Sequence, residues 1–267
     1  MHRPLAAARG LLAALAPGAE LAALTWLELT HPLRRSVEDK ARRFVRNLSF
    51  STLAAAAIHA CELPLVVWLS RLVERHGWGL VPALPLPAPL KLAAAVALMD
   101  YTLYLWHVIA HKAPLIWRLH RVHHADLDLD ASTALRFHFL EHVASAPYRA
   151  VQVLCIGVTP AAFATWQAFL MANVLFHHSN VRLPGWLDAL VARFVVTPHL
   201  HGIHHSSRQN ERESNWSSGL TLWDRLHGTY KTDVSDATIV IGLPEYRDPE
   251  SVRFARLVTM PLDPPTP

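Results

Sequence analysis

Residues 48–72 (LSFSTLAAAAIHACELPLVVWLSRL) and 90–110 (LKLAAAVALMDYTLYLWHVIA) form two long, nearly uncharged runs. Each is long enough to cross the ~30 Å hydrocarbon core of a bilayer as a helix. In lipid no water satisfies the backbone, so such a run must bond internally. A further run at 5–29 is comparable in length but carries Arg9, Pro17 and Glu20. It opens with His2 and Arg3 before an alanine–leucine stretch and an APGA site, so a retained span and a cleaved signal peptide are both open readings. A fourth apolar stretch, 143–176, is interrupted at Gly157, Thr159 and Pro160 and predicts a helical hairpin in or partly in the bilayer. With 52% hydrophobic and 17% charged residues, the composition agrees with a membrane protein. The expected fold is all-α: an integral membrane protein with about three full spans, the hairpin, and a cytoplasmic histidine-rich helical cap.

Orientation follows from the segment HPLRRSVEDKARRFVRN at 31–47, where Arg34, Arg35, Lys40, Arg42, Arg43 and Arg46 face only Glu38 and Asp39. The positive-inside rule makes it a cytoplasmic loop, so the 90–110 span returns to the cytoplasm near Trp106. The net charge of +4 gathers beside apolar spans, which suits lipid headgroups and argues against a nucleic-acid partner. Cys61 and Cys155 are isolated and are read as buried small hydrophobes rather than ligands or a disulfide. Trp106, Trp117, Trp166 and Trp186 are read as anchors at headgroup depth, and Asp126, Asp128 and Asp130 in ADLDLDAS as a solvated loop.

The histidines carry the chemistry. Of 18, thirteen fall between His107 and His205. HVIAH places His107 and His111 one helical turn apart, LHRVHH does the same for His120 with His123 or His124, and HGIHH for His201 with His204 and His205. Eight imidazoles exceed the needs of one ion, since a mononuclear zinc site uses three or four protein ligands. Two adjacent ions with open positions would use the set. His138 and His142 around Glu141, and the pair His177 and His178, are candidates for further ligands or for groups that orient ligands.

The order HVIAH, HRVHH, HGIHH, with RFHFLE and FHHSN between and NWSSGLTLWDRLHGTY after, resembles the fatty acid hydroxylase and sterol desaturase superfamily of membrane-bound non-haem di-iron oxygenases. The resemblance covers about residues 95–232. It implies His107, His111, His120, His123, His124, His201, His204 and His205 as ligands, with His178 as a ninth. It also gives Asp100, ahead of the first pair, and Asp224, in the closing turn, supporting roles. Val108, His177, Trp216, Ser217 and His227 depart from the usual pattern without removing a motif histidine. The chain divides accordingly into 1–94, the N-terminal spans and basic loop; 95–232, the di-iron domain including the hairpin; and 233–267, a C-terminal tail.

What the resemblance implies is two iron ions that use dioxygen and external electrons to hydroxylate or desaturate a C–H bond of a lipid (fatty acyl, sterol or related). No GxGxxG, CxxCH or cluster-binding cysteine set is present, so a ferredoxin or cytochrome-type donor with its reductase is expected as a partner. The alanine- and arginine-rich composition suggests a bacterial inner membrane. A zinc-dependent lipid hydrolase with Glu141 as base would leave most of the histidines unused. A metal transporter or binding protein would place its ligands near the bilayer midplane. Metal stoichiometry separates the three readings.

Overall fold

The computed structural model describes residues 2–264, with side chains from Leu15 onward. The first side chains of the expected 5–29 span and tail residues 265–267 lie outside that description. The described residues are helical, joined by turns, with isolated bridges and no β-strand. Helix α1 (His2–Thr30) leads to a short connection, and Asp39 then caps α2 (Lys40–Ala57) by accepting from the Arg42 amide at 2.9 Å. The basic segment is therefore half loop and half helix: Lys40 to Asn47 open α2.

From α2 the helix runs unbroken through a π-helical turn, Ile58–Glu62, into α3 (Leu63–His76). The cause is Pro64, which has no amide to donate within the helix. One extra residue is accommodated just before it, and the Leu63 amide bonds the Ile58 carbonyl five positions back. Gly77 ends α3 in the left-handed region, and the short α4 (Leu80–Ala83) follows.

Helix α5 (Ala88–Lys112) is the second long apolar helix, and with the 40–83 stretch it is long and apolar enough to cross a membrane. Only 17% and 28% of their most apolar windows are buried inside the protein, so most of the apolar surface faces outward. That surface includes Trp68, Leu90 and Ile109. Cys61 and Cys155 also prove exposed rather than buried, because an apolar outward face accepts a small apolar residue as readily as a core does.

The hairpin expected at 143–176 is realised as α7 (Phe139–Ile156) and α8 (Pro160–His178). Gly157 turns the chain at φ +83, and the Thr159 hydroxyl caps α8 at the Ala162 amide. A Cβ on Gly157 would lie 2.3 Å from Pro82 Cδ, so this turn packs directly on the α3–α4 connection. Val66, Met99, Val153, Phe163 and Trp166 form the core at this end. Trp166 is wholly buried there, not an interfacial anchor.

At the other end, α6 (Pro114–His124) carries Val122 into a second core with Phe50, Leu243, Tyr246 and Leu257. Residues 243–260, with α13 (Phe254–Thr259), thus pack onto the histidine-bearing helix. Short helices α9 (Gly185–Val191), α10 (Pro198–His204), α11 (Gln209–Arg212) and α12 (Leu222–His227) complete this layer.

The ADLDLDAS segment is buried, not solvated. Asp126 is fully enclosed and meets Arg136 at 2.8 Å, Arg43 at 3.1 Å and Arg46 at 3.2 Å, while Asp130 meets Arg43 at 3.0 Å. Asp128 accepts from the Val37 and Glu38 amides. Arg136 lies just beyond the segment, but Arg43 and Arg46 lie some eighty residues earlier, in the basic segment, and the two segments are clamped together.

Candidate metal centre

Pro114 sets the geometry of the first histidine group. A residue before proline is pushed out of the helical region, and Ala113 is extended at φ −88, ψ 115. Helix α5 ends there and α6 turns back on it. His107 and His111 of α5 consequently meet His120 and His124 of α6, with ring centroids 5.0 Å apart for His107–His111, 5.1 Å for His107–His120 and 4.7 Å for His111–His124. A second group joins His123 of α6, His178 at the end of α8, and His201 and His205 at the end of α10. His204 closes a third group with His124 and His205, linking the two. Within each group the ligand atoms lie within 4.8 Å of one another, and all nine rings are buried.

The second group is tightest. Nε2 of His178 is 3.1 Å from that of His123 and 2.9 Å from that of His201, which in turn is 3.1 Å from Nε2 of His205. A ring nitrogen has a single in-plane site, either a proton or a lone pair. The two middle nitrogens therefore cannot satisfy two neighbours each by hydrogen bonding. Four lone pairs sharing one point is the arrangement that a cation resolves. Nitrogens ~2.1 Å from an ion and 90° apart would lie about 3.0 Å from one another, against about 3.4 Å for a tetrahedron.

In the first and third groups the orphans make the same case. Nε2 of His107, His120 and His204, and both ring nitrogens of His111 and His124, are buried without a hydrogen-bond partner. At about 1–3 kcal/mol each, these vacancies would consume the stability of an ordinary domain. Burial, and then the crowding of neighbouring rings, holds His124, His204 and His205 well below the ordinary histidine range, so their lone pairs are free.

Several rings are aimed by their other nitrogen. Nδ1 of His107 donates to the Trp216 carbonyl at 2.7 Å, that of His204 to the Ser214 carbonyl at 2.9 Å, and that of His178 to the Val174 carbonyl at 2.8 Å. A carbonyl only accepts, so the proton sits on Nδ1 and Nε2 keeps its lone pair. Nδ1 of His120 is 2.9 Å from Glu141 Oε1, which places Glu141 behind a ring rather than among the inward-facing nitrogens. Phe137 stacks on His123 at 4.2 Å.

Asp100 and Asp224 act one step further out. Asp224 accepts from the Trp216 and Ser217 amides and the Thr229 hydroxyl; Asp100 accepts from the Leu220 amide and the Trp223 indole. Asn215, at φ +52, bridges Leu200 and Lys231. Together they fix the loop whose carbonyls orient His107 and His204. His177 lies 4.0 Å from the His201 ring, with Nδ1 unpartnered. His142 faces Glu62 at 3.9 Å. His138 stands apart, its Nδ1 capping α7 at the Leu140 amide. Nothing in the residue pattern announces the carbonyls of Ser214 and Trp216, because a backbone acceptor has no residue signature.

Beside the histidines lies a cavity of about 370 Å³. His107, His120, His123 and His178 form part of its wall, and Leu103 and Met171 contribute apolar surface.

Fold and site together define a helical protein built around buried histidine clusters that could hold metal ions, beside a largely apolar cavity. Residues 92–229 match the model of the fatty acid hydroxylase family, and the chain belongs to that family of hydroxylases. It is 28% identical over 159 residues to ornithine lipid hydroxylase OlsE of Rhizobium tropici, covering 59% of this chain and 46% of that one. It is 27% identical over 161 residues to human alkylglycerol monooxygenase (60% and 34%), and 25% identical over 172 residues to human cholesterol 25-hydroxylase (58% and 59%). The match thus spans between about a third and three-fifths of the length of these relatives. No solved structure matches it significantly.

Proposed function

We propose that this chain is a membrane-bound di-iron oxygenase that hydroxylates a C–H bond of a lipid. The observation that carries the reading is the convergence of unsatisfied imidazole nitrogens on one side of an apolar cavity. His107, His111, His120 and His124 would hold one ion and His123, His178, His201 and His205 the other, with His204 between them. Bound iron would supply dioxygen activation, which amino-acid side chains cannot perform. Nine buried histidines in linked groups support two redox-capable ions over a single tetrahedral zinc, which needs three or four ligands.

The protein's own contribution is positioning. Glu141 and the carbonyls of Trp216, Ser214 and Val174 hold ring tautomers; Leu103 and Met171 bind the lipid chain and exclude water. The relatives, hydroxylases and monooxygenases by name, support hydroxylation over desaturation. The 40–83 and 88–112 helices, with the α7–α8 hairpin, would hold the centre at the cytoplasmic face of the membrane, and electrons would arrive from a ferredoxin or cytochrome-type protein. The metal-binding region is taken as residues 95–232.

The test is metal content and oxygen incorporation. Protein purified after expression in iron should carry about two iron ions per chain, as a dinuclear histidine site requires, and the His204→Ala, His205→Ala double variant should lose them. With photoreduced ferredoxin and labelled dioxygen, a lipid extract should yield labelled alcohols. One tightly held zinc ion and no labelled lipid would replace this reading with the hydrolase.

A further inference from the structure

The cavity beside the histidines is not uniformly apolar. Glu62, from the π-helical turn, and Arg149, two turns into α7 beyond the histidine layer, both reach its wall. Both belong to segments that the proposed function places in the membrane, where ionisable groups are costly and mark functional sites. Arg149 is 8% exposed; its Nε donates to Glu62 Oε1 at 3.2 Å, its Nη1 to Gln152 at 2.7 Å, and its guanidinium lies 4.5 Å over the Trp166 ring. Among the described residues its Nη2 has no hydrogen-bond partner and Glu62 Oε2 accepts no hydrogen bond, His142 Nδ1 standing 3.9 Å from it. A free donor and a free acceptor therefore stand side by side. The pair is neutral overall, so a carboxylate or phosphate would bring an uncompensated charge into a desolvated site.

We propose that Arg149 and Glu62 form the recognition point for an uncharged hydroxyl group on the lipid substrate, accepting from Arg149 and donating to Glu62. The inference rests on the oxygenase reading and narrows it to lipid alcohols. Glu141 marks the metal layer and Arg149 follows eight residues later on the same helix, so the hydroxyl would sit about 12 Å from the oxidised carbon, at ~1.5 Å rise per residue. The π-helical turn brings Glu62 to this wall: without its extra residue, the side chain would point roughly 100° away around the helix.

The experiment measures equilibrium binding of labelled 1-hexadecanol, hexadecane and hexadecanoate to the purified, metal-containing protein in detergent. No reductant is present, so turnover plays no part, and failure of the oxygenase reading would appear only in the separate oxygen-incorporation assay. Hexadecanol should bind about tenfold or more tighter than hexadecane, the scale expected of hydrogen bonds to charged groups, and tighter than hexadecanoate. Glu62→Gln, which unbalances Arg149, should shift the preference to hexadecanoate. The Glu62→Gln, Arg149→Met double variant, which removes both charges, should bind alcohol and alkane alike with alkane affinity unchanged. Equal binding of alcohol and alkane by the unmodified protein, tightest binding of the acid, or an alcohol preference that survives the double variant would overturn the proposal. The comparison of probes on unmodified protein decides even where a variant fails to fold.

Discussion

Replacing Asp126 by Asn tests the clamp beneath the histidine helix. The side chain keeps its size, and only the charge is removed. Arg43 then still has Asp130 at 3.0 Å, and Arg46 still has Glu38 at 2.8 Å. Arg136 has no such reserve. It is fully buried, its Nε donates to the Val122 carbonyl, and Asp126 at 2.8 Å is its carboxylate partner. Burial already pulls its guanidinium down to about 10 with Asp126 present. The cost is therefore that of one orphaned buried charge, about 3–5 kcal/mol, or a melting point lowered by roughly 6–20 °C for a chain of this size.

The assay is thermal unfolding in detergent, followed by intrinsic fluorescence, with Asp126→Asn, Arg136→Met as the companion. Removing both partners should recover most of the loss, since an apolar replacement for a buried pair is near neutral. The pH dependence has a definite sign. Burial opposes the charged form of Asp126, yet Arg43, Arg136 and Arg46 hold it below the ordinary carboxylate range. Its stabilisation is thus present above the unfolded carboxyl value of about 4 and lost as pH falls toward the folded one. The gap between the protein and Asp126→Asn should be flat from about pH 5 to 8 and narrow below about pH 4. A melting point within a degree or so of the unmodified protein, or a gap closing near neutrality, refutes the reasoning.

Glu141→Gln should weaken metal retention roughly 10–100-fold, the usual effect of removing a carboxylate behind a ligating histidine; chelator titration with elemental analysis checks it. Stripping the metal should lower the melting point and ferrous iron should restore it, because folded protein alone binds the ion; an unchanged melting curve would count against the orphaned nitrogens as ligands. Gly157→Ala should destabilise by more than the ~1–2 kcal/mol of a left-handed non-glycine residue, since its Cβ would also strike Pro82. Circular dichroism melting of the purified variant measures that loss.

Much of the helical layout, and which histidines share a helix face, could be read in advance, because both depend on local spacing; which faces meet could not. HVIAH and HGIHH specify one helix face whatever surrounds them, and GVTP announces a turn whatever its depth. Interactions between distant segments left no such trace. The DLDLD run looks like a solvated loop because nothing near it in sequence supplies Arg43 or Arg46, and burial is decided by that pairing. Trp166 looks like an interfacial anchor until Phe163 and Val153 enclose it. Pro64 signals a local disturbance, but whether the helix breaks or widens depends on packing around Glu62.

The four helices that bring most of the histidines share a feature that spacing alone does not express. His107 and His111 lie at the end of α5, His120, His123 and His124 at the end of α6, His177 and His178 at the end of α8, and His201 and His204 at the end of α10. A helix C-terminus carries about half a negative charge. Four such ends thus face a centre whose imidazoles, in binding a metal ion, would contribute no compensating charge. Among the described residues Glu141 is the one carboxylate bonded to a ring of the first group, through His120. A divalent ion held there would be balanced by backbone dipoles and that acid. For that reason Glu141→Gln should cost more metal affinity than Asp100→Asn, which acts only through the loop.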